Sequence, residues 1–240
     1  MVILEAKKIS RYFGGLAAVK DLDFTVERDE IVGMIGPNGS GKTTVFNMIS
    51  GVIRPTSGEI LFKGDAITRS KPHEICRMGV ARTFQVPQPF TGMTVLENVL
   101  VGCIYGKGMR LVEARKKAED ILEFTGLGDK MSLPSESITA QDRKRLELAR
   151  ALASDPEILL LDEIMAGLTP KEMDVVLDLL IKLNERGVTL FVVEHVMRAV
   201  MKLSERIVVL HYGEKIAEGK PEEVAKNEDV ITAYLGERYA

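Results

Sequence analysis

"GPNGSGKT", residues 36–43, constrains this chain more than any other stretch. It fits the pattern G-x-x-x-x-G-K-[ST]. Before it stands "EIVGMI" (30–35), an apolar run of strand length; after it "TTVFNMISGV" (43–52) carries apolar residues at helical spacing and stops at Gly51. A glycine-rich turn between a buried strand and a helix can curl so that several backbone N–H groups face one phosphate chain, with the positive end of the helix behind them. Gly36, Pro37, Asn38, Gly39, Ser40, Gly41, Lys42, Thr43 and Thr44 are therefore the candidate phosphate cradle. Lys42 would reach the β- and γ-phosphates, and the Thr43 hydroxyl would face Mg²⁺.

The rest of the chain is organised around two more apolar runs. "EILLLDE" (157–163) and "VTLFVVEH" (188–195) each read as a buried strand with polar residues at its C-terminal end. Helical patterns separate them, so a mostly parallel α/β sheet is expected, with chemistry at the carboxyl ends of its strands. Val2–Glu5 and Leu22–Val26 alternate like half-buried strands, and "SGEILFKGDAIT" (57–68) reads as a hairpin. From about Pro72 to Ala153 the pattern is mostly helical, clearest in "LVEARKKAEDILEFTGL" with its stop at Gly126. "RIVVLHYGEKIAEG" (206–219) is a strand, a glycine turn and a strand, and a charged helix closes the chain.

Asp162 at a strand end is placed to hold Mg²⁺ through water, and Glu163 to polarise an attacking water; the alternative is an acidic cap for the following helix. His195 either contacts a γ-phosphate near Glu163 or is a structural histidine at a strand end. Gln85, in "RTFQVPQPF", either reaches Mg²⁺ or the attacking water from a moving segment, or is a solvated loop glutamine. Phe13, in "RYFGG", either stacks on a nucleotide base or packs in the core.

Composition narrows the function classes. The formal net charge of −3 gives no general attraction to nucleic acid or anionic lipid. Arg143-Lys144-Arg145 has no interleaved aromatics and reads as a solvated helix face. No apolar run approaches the roughly 18 residues that span a bilayer, so direct membrane insertion is not expected. Cys76 and Cys103 have no metal-ligand spacing and fit buried thiols in a reducing compartment.

Phosphate loop, glutamine, a helix with "RKRLELARAL", "LLLDE" and "VVEH" follow in the order found in ATP-binding cassette (ABC) proteins, and the chain resembles that family over nearly its whole length. "VARTFQVPQPFTGMTVLENVLVG" and "AGLTP" are similar to one branch, the ATP-binding subunits of branched-chain amino-acid importers. The resemblance implies one ABC domain over 1–240, a P-loop NTPase with a RecA-like mostly parallel sheet, an antiparallel β subdomain and a helical subdomain inserted at about 86–153. It implies ATP and Mg²⁺ as ligands. Phe13 would be the adenine-stacking aromatic, Gly36–Thr43 the Walker A loop and Gln85 the Q-loop residue. Asp162 and Glu163 would be the Walker B pair, with Glu163 as general base. Ala166–Thr169 would be the D-loop and His195 the switch histidine. Metal contacts would fall to Thr43, Gln85 and Asp162.

The family signature, Leu-Ser-Gly-Gly-Gln, falls on Ile138, Thr139, Ala140, Gln141 and Asp142. Ile and Thr keep an apolar anchor and a hydroxyl. Both glycines are lost, and a carboxylate stands where, unscreened, it would repel an incoming phosphate. Thr139 followed by Asp142 also resembles a helix capping box. Three readings stay open: a weaker grip on ATP in trans, a poor signature compensated by a different partner cassette, or a cap with no ligand. Ile164 stands where the family usually has proline, and Thr169 where many members have aspartate.

The expected function is the ATP-hydrolysing motor of an amino-acid importer. It would dimerise with a second ATP-binding subunit, identical or different, and work at the inner face of the cell membrane on separate permease subunits. The groove beside Gln85 would receive a permease helix. Two other classes remain at this point: a regulatory or assembly cassette with weak hydrolysis, and a cassette acting on nucleic acid or ribosomes. The intact Glu163 and His195 argue against the first, and the absence of a basic tail against the second.

Overall fold

The structure is a computed structural model that describes residues 1–235. In chain order its elements are β1 (Val2–Phe13), β2 (Leu16–Glu27), β3 (Ile31–Ile35), α1 (Lys42–Ile49), β4 (Ser57–Phe62), β5 (Asp65–Ala66), α2 (Pro72–Met78), β6 (Val80–Arg82), α3 (Val95–Lys107), α4 (Leu111–Phe124) and α5 (Ala140–Leu152). Then follow β7 (Ile158–Asp162), α6 (Pro170–Glu185), β8 (Thr189–Val193), α7 (Met197–Leu203), β9 (Arg206–His211), β10 (Glu214–Gly219), α8 (Pro221–Val224) and α9 (Glu228–Leu235).

Two sheets form. The smaller is antiparallel with order β2-β1-β4-β5. The larger has order β10-β9-β3-β8-β7-β6; it is parallel except for β10, which pairs antiparallel at one edge. The mostly parallel α/β expectation therefore holds. Strands β3, β7 and β8 are buried along their whole length, which explains their unbroken apolar runs. Alternate residues serve two cores. Val32, Met34, Leu160, Phe191 and Val193 pack toward α1 and the antiparallel sheet, whereas Leu159, Leu161, Leu190 and Val192 pack toward α5 and α6.

Two local expectations are corrected. The strands β1 and β2 run further than the alternating segments suggest, because the ladder slips between Ala6 and Ile9 and Lys8 takes a φ of 43°, so pairing continues through the break. The stretch read as helical from Pro72 contains β6, which pairs in parallel with β7 at the edge of the larger sheet. Three residues are too few to show a period.

Helices α3, α4 and α5 share an apolar centre of Val99, Cys103, Ala114, Ala118, Leu122, Leu146 and Ala149. A Cβ at Gly102 would lie 2.6 Å from that of Ala153, so the missing side chain lets α3 approach the end of α5. The β6 strand end, the 84–94 segment and α5 thus line one side of the larger sheet's carboxyl edge.

Candidate nucleotide site

The phosphate loop leaves β3 at Gly36 and enters α1 at Lys42. Two glycines in it are sterically required. A Cβ on Gly36 would sit 2.1 Å from the Leu210 carbonyl oxygen, and one on Gly41 2.4 Å from that of Ala18; both residues have positive φ, 153° and 106°. The Gly41 contact also seats the β1–β2 ribbon against the loop. The N-terminus of α1 has no side-chain cap and no acid in its first turn, so its N–H groups are left for a ligand.

Lys42 is buried, and its Nζ donates to the Gly36 and Pro37 carbonyls at 2.8 and 2.9 Å and to Ser40 Oγ at 3.4 Å. Burial pushes its pKa below the usual lysine value, opposed by the charges of Glu163 and Asp162. Pro37 and Ser40 are buried, whereas Asn38, Gly39 and Thr43 are exposed and Thr44 is half-buried.

One cleft is lined by Thr43, Asn47, Arg82, Gln85, Glu147 and Asp162, among others. All three expected metal contacts, Thr43, Gln85 and Asp162, face this one space. Asp162 Oδ2 accepts from Arg82 Nη2 at 2.7 Å, while its Oδ1 is buried without a protein partner. An orphaned carboxylate oxygen opposite a threonine hydroxyl fits a hydrated divalent cation. A curled N–H cradle and a lysine beside it fit a nucleotide's phosphates.

Glu163, one residue beyond Asp162, has a left-handed φ of 52°. Its carboxylate is held from both sides. Gln85 Nε2 donates to Oε2 at 2.6 Å, and His195 Nε2 lies 2.5 Å from Oε1. A carboxylate only accepts, so the imidazole must carry its proton on that nitrogen. Glu163 is thus oriented, not capping a helix; the helix start downstream at Thr169 is capped by Thr169 itself with Glu172. Ile164, in the place of proline, packs into the apolar cluster under α5 and α6.

Phe13 is 48% exposed at the tip of the β1–β2 ribbon, with the Arg11 guanidinium 4.7 Å from its ring centroid. It is not a core residue, and it does not line the cleft that holds Thr43 and Asp162.

At the start of α5, Thr139 Oγ1 accepts from the Asp142 N–H at 3.2 Å and donates to Asp142 Oδ2 at 2.7 Å. Lys130 Nζ donates to the same oxygen at 2.7 Å, and Arg145 lies 3.9 Å from the other. Burial pushes the Asp142 carboxyl upward, but the hydrogen bonds and charges of Lys130, Thr139 and Arg145 outweigh it and hold the pKa below its usual value. The expected repulsion of an incoming phosphate is corrected here: the carboxylate is buried and paired rather than presented to the surface. Thr139 and Ala140 remain exposed and Gln141 is half-buried.

Sequence reasoning missed Arg82, which joins Asp162 to Asn47 of α1 and to Ser50, just after that helix. Nothing in its spacing marks it, because the partners come from β7 and the end of α1. It also missed Glu194, 1% exposed with its pKa pushed up to about 7 by burial. An acid directly before His195 at the end of an apolar strand was the available signal.

A P-loop joined to two strand-end acids, with a glutamine and a histidine on the second, defines a nucleotide-binding cassette. The chain belongs to the ABC transporter family, whose model matches residues 19–166. A model described as branched-chain amino acid ATP-binding cassette transporter matches residues 214–240, of which 236–240 lie outside the described residues. The chain is 41% identical over 250 residues to the high-affinity branched-chain amino acid transport ATP-binding protein BraF of Pseudomonas aeruginosa, covering 98% of each. It is 40% identical over 250 residues to LivG of Escherichia coli K12, again covering 98% of each. Among solved structures, a nucleotide-free cassette from an ABC transporter superposes with TM-score 0.89 at 31% identity, covering 98% of this chain and 99% of that one. A dimeric bacterial ABC transporter cassette gives TM-score 0.83 at 29% identity, covering 91% and 99%.

Proposed function

We propose that this chain is the ATP-hydrolysing subunit of an importer for branched-chain or related amino acids. The observation that carries the reading is Glu163, fixed between Gln85 and His195 one residue after Asp162, with its charge acting on Lys42 at the start of α1. The main chain of Gly36–Thr44 would bind the phosphates and Lys42 would turn from the loop carbonyls to them. Phe13, exposed on a ribbon seated against that loop, would take the adenine. Thr43, Gln85 and Asp162 would hold Mg²⁺, which when bound offsets charge on the phosphate oxygens. Glu163 would accept a proton from the attacking water, and His195 would keep that carboxylate oriented toward the γ-phosphate.

Two cassettes would close around ATP, each presenting the start of its α5 to the other's loop. The Thr139 hydroxyl is already engaged on both its donor and acceptor sides by Asp142, which favours a partner cassette of different sequence over a second copy. The helical segment at about 86–153 would move as a unit with the Gln85 loop. Among the described residues no helix is long and apolar enough to cross a membrane, so separate permease subunits would hold the cassette at the inner face. A branched-chain cargo is supported by the relatives' names and by the match over 214–240.

The test is steady-state ATP turnover by the chain alone and in complex with its co-purified subunits, beside a Glu163→Gln control. Turnover in the complex that the control lacks supports the motor; no turnover in the complete complex, despite Mg-ATP binding, returns the reading to a regulatory cassette.

A further inference from the structure

The three residues after the catalytic carboxylate, Ile164, Met165 and Ala166, are held through their main chain by two charged side chains from separate elements. Lys144, on α5, donates from Nζ to the Ile164 carbonyl at 3.3 Å and to the Ala166 carbonyl. Glu194, at the end of β8, accepts the Met165 N–H on Oε1 at 2.7 Å. The main-chain N–H groups of Met165 and His195 both act on this buried carboxyl group. Alternate main-chain groups of one short segment therefore face a cation on one side and a carboxyl group on the other.

This arrangement has a local reason. Glu163 occupies a left-handed backbone conformation that a non-glycine residue keeps only when its surroundings fix it. The Glu163 N–H is bonded to the Val193 carbonyl at 2.9 Å, and the Lys144–Glu194 grip fixes the next three residues. A proline after Glu163 would restrict the backbone there by itself. Ile164 does not, which leaves the restraint to side chains.

The two grips also join distant parts of the site. Lys144 lies in the second turn of the helix that begins at Thr139. Glu194 directly precedes His195, whose ring touches Glu163. We propose that Lys144 and Glu194 are positioning residues for hydrolysis, setting the Glu163 carboxylate by clamping the main chain at 164–166 and tying it to the helix start that would meet the second cassette. The proposal rests on the ATPase reading above. The electrostatics agree with it: burial pushes Glu194 up to about 7 and Lys144 below its usual range, with the charge of Glu163 raising both.

Turnover and Mg-ATP affinity are measured on the full chain in its co-purified complex. Lys144→Met is expected to lower kcat at least tenfold, with KM and Mg-ATP affinity within about twofold of the unaltered chain. Lys144→Arg, which keeps a charged donor of similar reach, should recover a third or more of kcat. If Lys144→Met does not fold, Glu194→Ala gives the same readout from the other side of the segment. Unchanged kcat in the folded variant overturns the proposal, as does an equal loss of kcat and nucleotide affinity. Failure of both variants to fold makes the pair purely structural and overturns it too. An unaltered complex that does not hydrolyse ATP fails the ATPase reading instead, and is distinguished by that control.

Discussion

Two helices in this molecule begin where a phosphate group would be expected, and they begin differently. The start of α1, after Gly41, has no side-chain cap and no acid in its first turn. The start of α5, at Thr139, is capped by its own hydroxyl and carries the buried Asp142 paired with Lys130. The free N–H groups of a helix start attract an anion; a side-chain cap satisfies part of them internally. The first end is built around a ligand, with a buried lysine and two strand-end acids beside it. The second is stable without one. The two ends of this cassette thus differ in how much of their donor capacity is left for a phosphate group.

The largest effects should come from the open end. Glu163→Gln keeps the volume and removes the proton acceptor; turnover should fall about 10³-fold, within the usual range for a general base, while Mg-ATP affinity stays within a few-fold. Equal turnover in both forms would remove Glu163 from the chemistry and with it the contrast between the two ends. Lys42→Ala should weaken Mg-ATP binding by about 100-fold, the loss of roughly two charge-assisted hydrogen bonds, as read by calorimetry. An affinity unchanged by that substitution would mean that the open helix start alone carries the phosphates.

Much of this site was legible because its parts are local or lie at strand ends. The loop at 36–43 is a contiguous motif, and Asp162, Glu163 and His195 end apolar runs of strand length. Gln85 was named, but its bond to Glu163 was not, since it spans the segment after a three-residue strand that shows no period. Arg82 and Lys144 were invisible as site residues for the same reason. Their partners lie on other elements: the pairing of β6 with β7 brings Arg82 to Asp162, and the packing of α5 against the sheet brings Lys144 to the segment after Glu163. The sequence marks Asp142 as part of a cap but does not show what screens its charge, because Lys130 reaches it from a turn twelve positions away.

A moderate effect should come from opening the closed end. Replacing Ala140, Gln141 and Asp142 together with Gly, Gly and Gln, with Lys130 retained, removes the paired carboxylate and two side chains at the exposed rim. Stability should drop by about 2 kcal/mol, the scale of one hydrogen bond to a charged group, measured by urea unfolding. Turnover by the chain without a partner cassette should rise several-fold. A rise without the stability loss would mean that Asp142 is not the group that closes this end.

The pH dependence of stability separates the two ends by their protons. Asp142, at the closed end, has a folded pKa below its usual value of 3.8. Its contribution to stability is present above that pH and is lost as the pH falls through the lower folded value. Glu194, behind the open end, has a folded pKa raised from 4.5 to about 7. The folded chain then holds a proton that the unfolded chain has released, so its contribution to stability declines as the pH rises from about 4.5 to 7, by up to about 3 kcal/mol, and is level above that. Urea unfolding of the unaltered chain beside Glu194→Gln and Asp142→Asn, between pH 3 and 8 (conditions of measurement spanning roughly the carboxylate and histidine ranges), should give difference curves of opposite slope. Two curves of the same sign would mean that both carboxylates are ionised and paired in the folded chain, and that burial does not govern Glu194.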